Sequence, residues 1–412
     1  MKDIVRIAWR NIGRNKRRSV LTGLAVAFAV AILTFSMAFQ RGSYTNMIYN
    51  TVHTSTGHLQ VQHQEYWPDR NLWKKVHQPR QVISNLRDIP AIQAMAPRVQ
   101  APALVSTDNR CFGAVIKGIQ PDLEAHVSTI AAGITVGKYL VKDDTQGAVV
   151  GQLLAKNLGV GIGDEIVFIG QGADGSLAAG KLVVRGIFKT GINELDRATV
   201  AAHLSAVQEA YSMVDAVSEI VILLDHDKNR NTVSKQIKDR LQKEPHAELA
   251  VLDWSTLMPG TEESMKMDWN TGLILYFVLV MVVGFGIANT FLMAFIERIH
   301  EFGVLLALGM RPILLSYMLY LESILLTTVG AMIGLTIGIS ITFYFRSTGI
   351  NFGAGSEEIM AQYGMSSVIY PEISWLVVNW SVGIVLGVAL FFALYPALKV
   401  RRLKPVEALH YG

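Results

Sequence analysis

The feature that most constrains this chain is the placement of positive charge around uncharged apolar runs. Lys2, Arg6, Arg10, Arg14, Lys16, Arg17 and Arg18 precede Ser19–Phe39, which carries no charge, and Lys399, Arg401, Arg402 and Lys404 follow the last apolar run. Loops on the cytoplasmic side of a membrane hold the Lys and Arg excess. Both ends therefore read as cytoplasmic, and the number of crossings must be even. Ser19–Phe39 has about 21 residues, roughly 31 Å of helix, enough to cross hydrocarbon. A signal-peptide core is shorter and ends at a small-residue cleavage site, which does not follow here. The run reads as a retained anchor.

Three more runs are long enough to span, which predicts crossings at 19–40, 271–295, 313–345 and 373–398. The predicted fold class is an α-helical membrane protein with four transmembrane helices. A large α+β extracytoplasmic (periplasmic) domain, residues 41–270, is inserted between helices 1 and 2. In it, Glu165–Gly170 and Lys181–Phe188 read as strands around a glycine-rich loop, Gln171–Gly180. Residues 1–18 read as an amphipathic helix on the inner membrane surface, 296–312 as an inner helix, 346–372 as a small outer loop and 399–412 as a cytoplasmic tail.

Composition excludes several function classes. Only 17% of residues are charged, and the net charge of +4 is concentrated beside apolar runs, where it sets topology and meets anionic lipid rather than nucleic acid. Cys111 is the one cysteine, so no intrachain disulfide forms, and it reads as a buried small hydrophobe. His53, His58 and His63 recur at a spacing that suits neither a helix face nor a strand face, so no metal site is predicted. No phosphate-binding G-x-x-x-x-G-K-[ST] loop occurs, and no nucleophile–base arrangement stands out. Glu322 lies inside the third apolar run, where a carboxylate is costly and faces a bundle interior or a cavity. Two readings stand: a movable contact with another helix or a partner subunit, or a structural bond to Ser316 or Ser323. Gly330, Gly334 and Gly338, and Gly383 and Gly387, form small-residue stripes expected to pack spans three and four together.

The segment Glu297–Gly309 reads, by its residues alone, either as an ordinary charged connector or as a helix that transmits force. Its pattern, E-R-x-x-E-x-G-x-L-x-A-x-G, resembles the signature of the MacB/FtsX-like family of ABC-transporter permeases. Ile7–Arg18 resembles that family's basic entry into its first helix, and Tyr395–Leu409 its closing motif. Lys117–Pro121, Val150–Asp164 and Gly186–Asp196 are similar to runs of its lipoprotein-releasing branch. The resemblance implies a non-enzymatic permease subunit in a bacterial inner membrane. It implies a separate cytoplasmic ABC ATPase subunit that binds ATP and Mg, with no cofactor in this chain. It also implies a second permease chain, the same or related, and a periplasmic lipoprotein chaperone or adaptor, with Gln171–Gly180 falling where a chaperone-binding hook is carried. Glu297, Arg298, Glu301, Phe302, Gly303 and Leu306 would form the helix gripped by the ATPase. Phe28, Phe35, Met37 and Phe39 of the first span, with Phe277, Met281 and Phe285 of the second, would line a cleft for the lipid-anchored cargo. The implied function is ATP-driven extraction of lipoproteins. The alternatives are MacB-like export of peptides, toxins or drugs, and a signalling module that activates a periplasmic cell-wall hydrolase.

Overall fold

The computed structural model describes residues 10, 16–241, 248–353, 355 and 368–401. The predicted helix at 1–18 and the tail at 399–412 fall almost wholly outside them, as does most of the central part of the loop 346–372. The chain divides into a helical unit, Met1–Tyr44, Met265–Asn351 and Val368–Gly412, and an α+β unit, Thr45–Ser264 with Phe352–Ser367.

Among the described residues, four helices are long and apolar enough to cross a membrane. They run Lys16–Thr51, Pro259–Glu297, Pro312–Thr348 and Trp375–Arg401, so the first two extend well past the apolar runs that announced them. In the helical unit, Val26, Val30, Leu33, Met37, Tyr276, Val280, Ile287, Phe291, Val385 and Ala389 make one buried core. The glycine stripe on the third helix packs against the first helix, not the fourth. A Cβ on Gly334 would lie 2.2 Å from the Ala27 carbonyl oxygen, and one on Gly330 2.8 Å from that of Gly23. Spans three and four do pack together as expected, but the stripe at 330–338 does not carry that contact, and Gly383 and Gly387 have open space around them. At the other end of this unit, Asp268 accepts hydrogen bonds from Tyr44 (2.7 Å) and Gln40 (2.9 Å), and Gln40 accepts one from Tyr276 (3.1 Å). These bonds join the first and second helices.

The α+β unit is built on one ten-stranded sheet. Its strands are β1 (Leu59–His63), β3 (Ile92–Ser106), β4 (Cys111–Ile119), β5 (Ile134–Gly137), β6 (Gly147–Gly151), β7 (Glu165–Gln171), β8 (Leu177–Phe188), β9 (Thr199–His203), β11 (Glu219–Leu224) and β12 (Leu249–Asp253), with β2 (Val76–His77) and β10 (Ala216–Val217) forming a separate pair. β3 pairs with β4, β4 with β9, β9 with β6, β6 with β8, β8 with β7, and β7 returns to β3. The ladder thus closes on itself, which removes exposed edges from those six strands. Inward positions alternate along each strand: Ala101, Ala103 and Val105 of β3 meet Ile166 and Phe168 of β7 and Ala178, Leu182 and Val184 of β8 in one core. The long β3 also carries β11, β1 and β12 as an open wing. Cys111 is exposed, not buried as expected, because its register opposite Ser106 puts it at the outer end of the β3–β4 ladder. The loop expected at Gln171–Gly180 is shorter than that. The strands run to Gln171 and resume at Leu177, and the turn between them is closed by Gly172 N–H to Ser176 O at 2.8 Å.

A row of polar side chains crosses the wing beneath buried surface. Gln62, Glu219 and Arg98 are successive cross-strand partners, and Gln100 pairs with Lys117 one step along. Arg98 is 1% exposed and donates to both carboxylate oxygens of Glu124, at 2.7 and 2.9 Å. Gln100 donates to Glu219 at 2.6 Å. Burial, reinforced by the neighbouring Arg98, pushes the Lys117 ammonium down to about 8. Two cations and two carboxylates thus neutralise one another away from water, the only way such groups are tolerated there.

Arg98→Met strands Glu124 and is expected to cost about 3–5 kcal/mol, read from urea unfolding followed by tryptophan fluorescence. The double variant Arg98→Met/Glu124→Leu recovers part of that loss. In the helical unit, Gly334→Leu forces the first and third helices apart and is expected to cost about 1–3 kcal/mol in thermal unfolding in detergent, whereas Gly387→Leu, in open space, leaves the transition within error of the parent.

Candidate coupling site

The second long helix stops at Glu297, and a short linking helix, Ile299–Ala307, begins after a single intervening residue. Arg298 lies between them with φ −109° and ψ 7°, outside helical geometry. The linking helix ends just before Gly309, whose φ of +92° is open to glycine at little cost. The amides of Gly309 and Met310 turn back to the carbonyls of Leu306 and Leu305, each at 3.0 Å, and so satisfy the helix end. Pro312 then opens the third long helix at a position where its missing N–H costs nothing. The linking helix is therefore bounded by two backbone breaks.

Its side chains are sorted by face. Phe302, Leu306 and Ile299 are buried with Phe295 of the second helix, Leu315, Met318 and Leu319 of the third, and Val400 of the fourth. Phe295 and Phe302 stack at 6.2 Å. Gly303 is buried on the same side, whereas Glu297, Glu301, Val304 and Leu308 are exposed. Leu305, Leu308, Gly309, Met310, Arg311 and Leu314 line an open groove of about 500 Å³. An apolar, solvent-facing helix edge of this kind is what a protein partner covers.

The polar centre of this site is Arg298, 6% exposed. Its Nη1 donates to Glu322 Oε2 at 3.1 Å, its Nε to Glu301 Oε2 at 3.2 Å, and its guanidinium lies 5.2 Å from the centre of the Phe302 ring. Glu322, 8% exposed, thus has a cation from the break between the second and linking helices, not the serine partners weighed for it: Ser316 bonds Pro312 O and Ser323 bonds Leu319 O. The pairing was readable in principle. A carboxylate inside an apolar run needs a cation, and Arg298 stands at the mouth of the neighbouring segment.

The seven residues expected to line a cleft are placed separately. Phe28 and Phe277 are exposed, at 64% and 65%. Phe35 packs on Phe345 of the third helix and on Phe39, Met37 is buried in the helical core, and Phe285 meets Phe392 of the fourth helix at 5.0 Å. Met281 is half-buried.

Comparison with known proteins follows this architecture. The sequence profile of the MacB-like periplasmic core domain matches residues 19–240, and that of the FtsX-like permease C-terminal region matches 273–405. The chain is 22% identical over 406 residues to the lipoprotein-releasing system transmembrane protein LolC of Xylella fastidiosa, covering 95% of this chain and 94% of that one. It is 21% identical over 422 residues to the corresponding protein LolE of Haemophilus influenzae, covering 98% of each. It is also 21% identical over 416 residues to the macrolide export ATP-binding/permease protein MacB of Vibrio parahaemolyticus, covering 99% of this chain but 60% of that one. The two profiles together take in most of the chain, and on that ground it belongs to the MacB/FtsX-like family of ABC transporter permeases.

Proposed function

We propose that this chain is the membrane subunit of an ABC-type assembly that extracts lipoproteins from a bacterial inner membrane. The observation that carries the reading is the reach of the match. LolC and LolE relatives align over 94% and 98% of their own lengths, whereas the MacB relative, whose name includes ATP binding, aligns over 60%. By its likeness to the LolC and LolE relatives, the chain takes its energy from ATP and Mg bound by a separate ATPase. The open groove beside Leu308 and the exposed Val304 and Met310 are the surface offered to that ATPase.

In this reading both termini and the linking helix are cytoplasmic and the α+β unit is periplasmic. Closure of the ATPases moves the linking helices of two paired permease chains, the same or related, and the work appears on the far side. A partner there has a surface to bind. Leu104 of β3, Val167 and Ile169 of β7 and Leu177 of β8 are exposed, and the register sets Leu104 opposite Ile169 on the outer face of the closed ladder. A lipoprotein chaperone, itself required to shield acyl chains, suits an apolar face of this kind.

The cargo enters against the exposed aromatics of the first two helices. A photoreactive phenylalanine at Phe28 or Phe277 is expected to form adducts with a labelled lipoprotein in whole cells. Adducts with unacylated periplasmic peptides, and none with lipoproteins at either position, would favour the export reading instead.

A further inference from the structure

The linking helix poses a mechanical problem. Backbone breaks at Arg298 and at Gly309 bound it on both sides; across the first, Arg298 N–H still bonds Phe295 O (3.2 Å) and Phe302 N–H bonds Arg298 O (3.0 Å), but the helical path of neither neighbour continues into it. Its orientation is set by side chains. Most of those are apolar: Ile299, Phe302 and Leu306 against Leu315, Met318 and Leu319. Apolar packing is strong but non-directional, and it tolerates sliding and rotation better than a hydrogen-bonded pair does. A buried polar contact supplies direction. The Arg298 guanidinium, 6% exposed, bonds Glu322 of the third helix at 3.1 Å and Glu301 of the linking helix at 3.2 Å. Phe302 lies against its face at 5.2 Å and limits the planes it can adopt.

We infer that Arg298 is a positioning residue whose bridge to Glu322 locks the linking helix to the third membrane helix, so that the two move as one body while the second helix pivots at the Arg298 backbone. The inference rests on the reading of 297–311 as the element that a cytoplasmic ATPase moves. A buried ion pair adds little net stability over a well-packed apolar pair, and its best-attested use is to fix one register among several. The arrangement here fits that use. The bridge spans two elements whose connection is broken at Gly309, and the same guanidinium reaches a carboxylate on each. A push on the linking helix then reaches the third helix at Glu322, ten residues beyond Pro312 and about 15 Å along the rod at 1.5 Å per residue. The third helix in turn is seated on the first through Gly330 and Gly334.

The test is a distance inside the full chain, reconstituted in lipid nanodiscs. Spin labels go on Leu308→Cys and Ile333→Cys, both exposed positions, in a Cys111→Ser background because Cys111 is itself exposed. The parent is expected to give a narrow distribution. The apolar pair Arg298→Met/Glu322→Leu, which strands no buried charge and so keeps the fold, broadens it by about twofold because non-directional packing replaces the bridge. The exchanged set Arg298→Glu/Glu301→Gln/Glu322→Arg, which removes the carboxylate that would face the new Glu, narrows it again. An apolar pair as narrow as the parent, or an exchanged set that stays broad, overturns the inference. The readout needs neither ATPase nor cargo, so its failure leaves the transporter reading intact, and the failure of lipoprotein crosslinking leaves this measurement intact.

Discussion

Hydrocarbon offers no hydrogen-bond partner to a peptide group, so a chain that crosses it as a helix must satisfy its backbone within that helix. Four such helices fix the plan of this protein. They oblige the remaining chain to fold where water is available, and the largest intervening stretch does so as a closed ladder with a wing. They also oblige every polar group within them to find a partner nearby. Glu322 finds Arg298, Thr34 finds Ser381 and the Val30 carbonyl, and Asp268 collects Tyr44 and Gln40.

Both units contain buried charge, and they use it differently. In the α+β unit, Arg98 and Glu124 meet through two hydrogen bonds, with Lys117 and Glu219 beside them, so the cluster is neutral and knits three strands to the helix Pro121–Val127. In the helical unit a single guanidinium at a backbone break serves two carboxylates on different helices. The first arrangement ties elements already joined by a continuous ladder. The second joins elements that the main chain leaves free to turn. That contrast is why the bridge at Arg298 is read as mechanical and the row at Arg98 as structural.

Much of this was legible in the sequence. The spans were, because about twenty consecutive apolar residues have few other uses. The inner helix was legible within 296–312, from polar Glu297, Arg298 and Glu301 beside apolar Phe302, Leu305 and Leu306, but its start at the Arg298 break was not. The closed ladder was not. It depends on β7 returning to β3, a pairing some sixty residues apart that no local pattern encodes. The glycine stripe at 330–338 announced a close helix contact without saying which helix, and the first, distant in sequence, proved to be the partner. Cys111 was misjudged because residue type favours burial while strand register decides it. The seven aromatic and methionine positions are grouped in the sequence by their place on the first two apolar runs; Phe35 meets the third helix, Phe285 touches the fourth and Met37 is in the core, while Phe28 and Phe277 are exposed.

The account stands on sidedness: the linking helix and the α+β unit must face opposite compartments. Two cysteines report this directly, the native and exposed Cys111 in the α+β unit and an engineered Leu308→Cys on the linking helix. A maleimide that cannot cross membranes, applied to intact spheroplasts, is expected to label Cys111 at once and to reach position 308 only after the membrane is opened. Equal labelling of both before permeabilisation would put the two in one compartment and contradict the account.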